Sequence, residues 1–91
     1  MNAAAMTEAQ SQFADRLAEE VQAVLGPTIT IESVAITGDG PVTIVADCRT
    51  DGRLEAITGR GASLLEASRD LITAAAELRL GAAWQRMVGT R

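Results

Sequence analysis

VTIVADCRTDGRLEAI, Val42 to Ile57, decides the fold. Two runs rich in β-branched residues flank Asp51-Gly52, which is how a β-hairpin is written in sequence. A three-residue connection, Thr50-Asp51-Gly52 with Gly52 in the left-handed region, places Val42, Ile44, Ala46, Cys48, Leu54 and Ala56 on one face. A two-residue connection scatters the same side chains over both faces, so the three-residue register is the expected one. The opposite face then carries Asp47, Arg49, Arg53 and Glu55 near the turn, and Val45 opposite Ile57, an apolar pair out of place on a solvated surface.

Toward the N-terminus, Gly38-Asp39-Gly40-Pro41 is a second tight turn, and the segment from Thr28 before it is a third strand. In this strand Ile29 and Ile31 are out of phase with Val34 and Ile36. Either a bulge near Glu32-Ser33 resets the phase, or one pair faces away from the core. The second solution would join Val34 and Ile36 to Val45 and Ile57 in an apolar patch on the outer sheet face, of the kind that marks a partner interface.

Helices flank the strands. Thr7 with Gln10 has capping-box spacing, and Phe13, Leu17, Val21 and Val24 follow at helical spacing until Gly26-Pro27, with Gln12, Asp15, Glu19 and Gln22 opposite. Ser63 with Glu66 repeats the box, and Leu64, Ser68, Leu71, Ile72, Ala75 and Leu78 form the next stripe, with Asp70 among the residues outside it. Leu80, Trp84 and Met87 are also helically spaced but project from the opposite side, so the helix either breaks at Gly81 or offers a second apolar face. The expectation is an α+β fold: helix, three-stranded antiparallel meander, helix, with a short C-terminal helical extension. Residues 1–91 are read as one domain, 1–6 as disordered and 82–91 as the extension.

Composition narrows the chemistry. The chain has no His, no Tyr and one Cys, and all eight of its cations are Arg. Most nucleophilic, acid–base and metal chemistry draws on those missing types, so neither an enzyme nor a cofactor or metal site is expected. Twelve acidic residues leave a net charge of −4, which weakens the expectation of nucleic-acid binding. The first residues carry no secretory-signal pattern, no run reaches membrane-spanning length, and a lone thiol fits a reducing cytoplasm; a cytoplasmic protein without membrane contact follows.

Four constellations are candidates nonetheless. Gly59-Arg60-Gly61 opening a capped helix can present amides to a phosphate, though glycine is also common turn punctuation. Asp47 and Glu55, opposite each other in the three-residue register, form a carboxylate pair that Arg49 and Arg53 make into a charge lattice. Arg49, Arg53 and Arg60, taken together at the sheet end, are the candidate nucleic-acid contacts. Leu80, Trp84 and Met87 are candidate protein contacts, alongside the outer-sheet residues Val34, Ile36, Val45 and Ile57. Cys48 falls on the apolar face and is read as a structural thiol.

The run Gly38-Asp39-Gly40-Pro41-Val42-Thr43-Ile44, the hairpin through Gly52-Arg53-Leu54-Glu55-Ala56-Ile57, and Asp70-Leu71-Ile72-Thr73-Ala74-Ala75 resemble the YbaB/EbfC family of bacterial nucleoid-associated proteins. That resemblance implies a homodimer binding duplex DNA with little sequence preference, the outer-face residues serving the dimer contact. Gly59-x-Gly61-x-Ser63 followed by Glu66-Ala67 also resembles the entry to the last helix of a double-stranded RNA-binding domain. Leu64, Leu65 and Ser68 stand where that domain places its phosphate-binding lysines, so this second likeness implies the fold without RNA binding; the net acidity, the outer-sheet patch and the Leu80, Trp84, Met87 stripe make a protein-interaction module or assembly subunit the alternative expectation.

Overall fold

The computed structural model describes residues 7–38, 40–50 and 52–89, so the expected disorder of 1–6 lies outside the described residues. The order is α1 (Glu8–Leu25), β1 (Ile29–Thr37), β2 (Val42–Thr50), β3 (Arg53–Gly61) and α2 (Leu64–Gly89). The strands form one antiparallel sheet in the order β1-β2-β3, so the fold is the α+β meander expected from the sequence.

Both helices begin where their capping boxes are written. At α1 the Gln10 N–H donates to Thr7 Oγ1 (3.1 Å) while the Thr7 N–H donates to Gln10 Oε1 (3.0 Å). At α2 the Glu66 N–H donates to Ser63 Oγ (3.2 Å), and the Ala62 N–H donates to Glu66 Oε1 (3.0 Å). At α1 the box is reciprocal, while at α2 the Glu66 side chain reaches the Ala62 amide, one residue before the Ser63 N-cap; both pairs satisfy amides at the helix entry. The first helix ends at Gly26, whose φ of 84° is open to glycine at little cost.

One core lies between the helices and a single face of the sheet. Ala14, Leu17, Val21 and Leu25 meet Ile29, Ile36, Ile44, Ala46, Cys48 and Ile57, and Ala67, Leu71 and Ala75 close it from α2. Two corrections to the expected register explain this list. Thr50 pairs directly with Arg53, so the β2–β3 connection has two residues, not three. That shift turns Ile57 inward beside Ile44 and Ala46 and sends Leu54 and Ala56 to the outer face. In β1 the register slips between Ile31 and Ser33, so the bulge is the solution adopted and Ile29, Ile31, Val34 and Ile36 all face the helices.

The inner face of β3 is completed by two residues without side chains. A Cβ on Gly59 would fall onto the Ala67 carbonyl oxygen and the Leu71 amide, and one on Gly61 onto Glu66 and the Ala67 amide. The backbone of α2 therefore rests directly on the end of β3, and glycine is required there by close approach.

Both sheet edges are blunted by side chains from the helices. On β1, Gln22 Oε1 accepts from the Ile31 N–H (2.9 Å), and Gln22 Nε2 donates to the carbonyls of Ile29 (2.8 Å) and Gly26 (2.9 Å). On β3 the Arg60 N–H donates to Asp70 Oδ2 (2.9 Å). Such contacts occupy groups that would otherwise template pairing with another strand.

Candidate interaction surfaces

The outer sheet face is a grid of four rows, and it is predominantly polar or small. From one end they are Thr37, Thr43, Arg60; then Ala35, Val45, Thr58; then Ser33, Asp47, Ala56; and last Thr30, Arg49, Leu54. Within it Ser33 Oγ donates to Asp47 Oδ2 (3.1 Å), and Arg49 Nε donates to Glu32 Oε2 (3.2 Å). The apolar patch expected here is not assembled. Ile36 and Ile57 are buried and Val34 packs against the core, all on the helix side, which leaves Val45 half-buried and Leu54 exposed as its larger apolar members.

The three candidate arginines do not converge. Arg49 lies on the outer face in the ion pair with Glu32. Arg53 follows the turn and pairs with Thr50, on the face opposite to Arg49, while Arg60 sits seven residues further along β3, about 23 Å away at strand rise. The register that moves Ile57 inward also separates the carboxylates: Asp47 pairs with Ala56 and Glu55 with Cys48, so they point to opposite faces. No group of three or more His, Cys, Asp or Glu that could hold a metal ion occurs among the described residues.

Gly59-Arg60-Gly61 belongs to β3, and its glycines serve the α2 contact rather than a turn or a phosphate cradle. Two amides at this helix entry are already engaged by the capping box. Cys48 is buried, its thiol pushed above the ordinary value by burial first and then by the charges of Asp47 and Glu55. A neutral, enclosed thiol is a core group, in keeping with its place on the apolar face.

A shallow cleft of about 260 Å³ runs between α1 and the β1 bulge, lined by Ser11, Ala14, Asp15, Ile31, Glu32 and Val34 among others. Two of its polar side chains are engaged on the outer face, Glu32 by Arg49 and Ser33 by Asp47.

The distal part of α2 offers a different surface. The helix does not break at Gly81; it runs to Gly89, so the expected extension is its own last turns. Among the described hydrophobic residues, Ala82 is the last that packs against the core. Near that level Arg79 Nη1 donates to the Val24 carbonyl oxygen (3.2 Å), tying α2 to the end of α1. Leu80, Trp84 and Met87 are 70%, 63% and 68% exposed, and Val88 is 49% exposed. At 100° per residue Leu80, Trp84 and Met87 share a side opposite Leu71, Ala75 and Leu78 and so face away from the sheet, while Val88 lies on the flank. Among the described residues no helix is long and apolar enough to cross a membrane.

No protein-family model, no curated protein and no solved structure matches this chain. Its surfaces have to be interpreted on their own chemistry.

Proposed function

We propose that this chain is a non-enzymatic protein-interaction module or assembly subunit that binds through the distal half of α2 and not through nucleic acid. One observation carries the proposal: Leu80, Trp84 and Met87 stand exposed on one side of the last turns of α2, where Ala82 is the last hydrophobic residue packed against the core. Large apolar side chains kept on one side of a regular helix are a feature of helices that dock. Trp is also among the residues that most often dominate binding energy at interfaces.

The nucleoid-associated reading asks for cations that converge on a phosphate backbone, and it receives less support. Arg49 is engaged by Glu32, and Arg53 and Arg60 stand at opposite ends of β3. The net charge of −4 acts against it at long range. Titration of a labelled DNA duplex, followed by fluorescence anisotropy across a salt series, tests the choice. The expected result is no saturable binding at low salt. Saturable binding whose logarithm falls linearly with the logarithm of salt concentration would overturn the proposal in favour of phosphate recognition.

A further inference from the structure

We infer that the occupant of the distal α2 surface is a second copy of the same chain, its α2 lying antiparallel across a two-fold axis between residues 81 and 82. This inference rests on the interaction reading above and names its partner. The motivation is spacing and size together. Thr73, Ala76, Leu80, Ala83 and Met87 recur at intervals of three and four, the a and d positions of a heptad, on the side of α2 turned from the sheet. Ala76 and Ala83 are half-buried small residues that alternate along the helix with the exposed Leu80 and Met87.

Antiparallel pairing brings an a position of one helix against a d position of the other. About the stated axis, each Leu80 meets Ala83 of the second copy and each Met87 meets its Ala76. Every one of these layers then sets a large side chain against a small one, which lets two helices approach closely and fill the seam without voids. A parallel pair would stack Leu80 on Leu80 and Ala83 on Ala83, alternating crowded and empty layers. Trp84, one position beyond Ala83, flanks the seam and covers it.

The available area suits a dimer of this kind. Leu80, Trp84 and Met87 together expose surface on the order of 450 Å² per chain, within the size range of functional patches. Two copies bring about 900 Å², the size of a weak and reversible contact. The sheet and α1 lie on the other side of α2, so the two bodies would sit at opposite ends and outside the helix pair, and the same patch serves both chains in a closed contact.

Sedimentation equilibrium of the full chain, with Leu80→Glu beside it, tests the association. The expected result is a reversible dimer whose dissociation constant rises at least about tenfold in the variant. The orientation is tested with Leu80→Cys and Ala83→Cys, each alone and mixed, in an oxidised and reduced glutathione buffer. Cys48 is buried, so the introduced thiols are the accessible ones. Mixing should give a Leu80→Cys to Ala83→Cys disulfide in clear excess over either homodisulfide. A monomer throughout the concentration range overturns the inference, as does a predominance of homodisulfides. A dimer indifferent to Leu80→Glu also overturns it while leaving self-association through another surface, whereas the interaction reading itself fails only if duplex DNA binds.

Discussion

The two halves of α2 share one helix and differ in what they touch. From Leu64 to Leu78 the helix lies on the core, and at Glu66, Ala67 and Leu71 so closely that Gly59 and Gly61 have no room for side chains. From Leu80 onward, among the described hydrophobic residues, Ala82 alone packs against the core, yet Leu80, Trp84 and Val88 are as apolar as the buried set. The first half accounts for the fold. The second half is surplus to it, and apolar side chains that the fold does not need are best explained by something outside the fold.

The largest effects should fall on the proximal half. Gly59→Ala drives a methyl into the Ala67 and Leu71 backbone and should cost about 3 kcal/mol or more in a urea denaturation series. Leu71→Ala empties a fully buried site and should cost roughly 2–5 kcal/mol, whereas Leu80→Ala, measured in dilute protein, should stay within about 0.5 kcal/mol. Equal losses from the two leucines would erase the distinction between the halves. Gln22→Ala, which strips two hydrogen bonds from the β1 edge and one from the Gly26 carbonyl, should lower stability by roughly 1–2 kcal/mol by the same assay.

Gly81→Ala should act in the other direction. Its Cβ would meet nothing within 4 Å, so replacing a mid-helical glycine should raise stability by up to about 1 kcal/mol, against the loss at Gly59. The smallest effect concerns Cys48. Because its folded thiol titrates above the ordinary value of 9.0, the native state keeps the proton longer than the unfolded chain. Stability from this source is complete below about pH 9 and declines as pH rises through the folded value. The chain has no Tyr, and its cations are all Arg, so few other groups titrate there. Urea midpoints at pH 8 and pH 10.5 should differ less in Cys48→Ala than in the wild type.

Much of the fold was legible because its boundaries are written chemically. Thr7 with Gln10 and Ser63 with Glu66 mark both helix starts, and Asp51-Gly52 marks the hairpin. The hairpin register was misjudged because counting apolar side chains favoured a face with Leu54 and Ala56 over one with Ile57, Gly59 and Gly61. Two glycines add nothing to such a count, although α2 itself fills their space; the preference of Asp-Gly for two-residue connections was the better guide. In β1 the phase break at Glu32-Ser33 was visible, but only pairing could choose the bulge over an outward face. Gln22 and Asp70 look like solvent-facing residues on a helical wheel, and their role at the sheet edges depends on distances that periodicity does not encode.

The candidate surface was legible for a related reason. Leu80, Trp84 and Met87 need only helical continuity through Gly81 to form one stripe, whereas Arg49, Arg53 and Arg60 required a register that the sheet does not adopt. A periodic signal within one element survives errors elsewhere in the fold. A cluster assembled from several strands does not.

Trp84 gives the most direct measurement, since it is the only Trp in a chain without Tyr. Its emission should shift to shorter wavelength as protein concentration is raised, with a midpoint matching the association seen by sedimentation, and should not respond to duplex DNA. Emission that keeps its solvent-exposed wavelength at every protein concentration and shifts only when duplex is added would contradict the account.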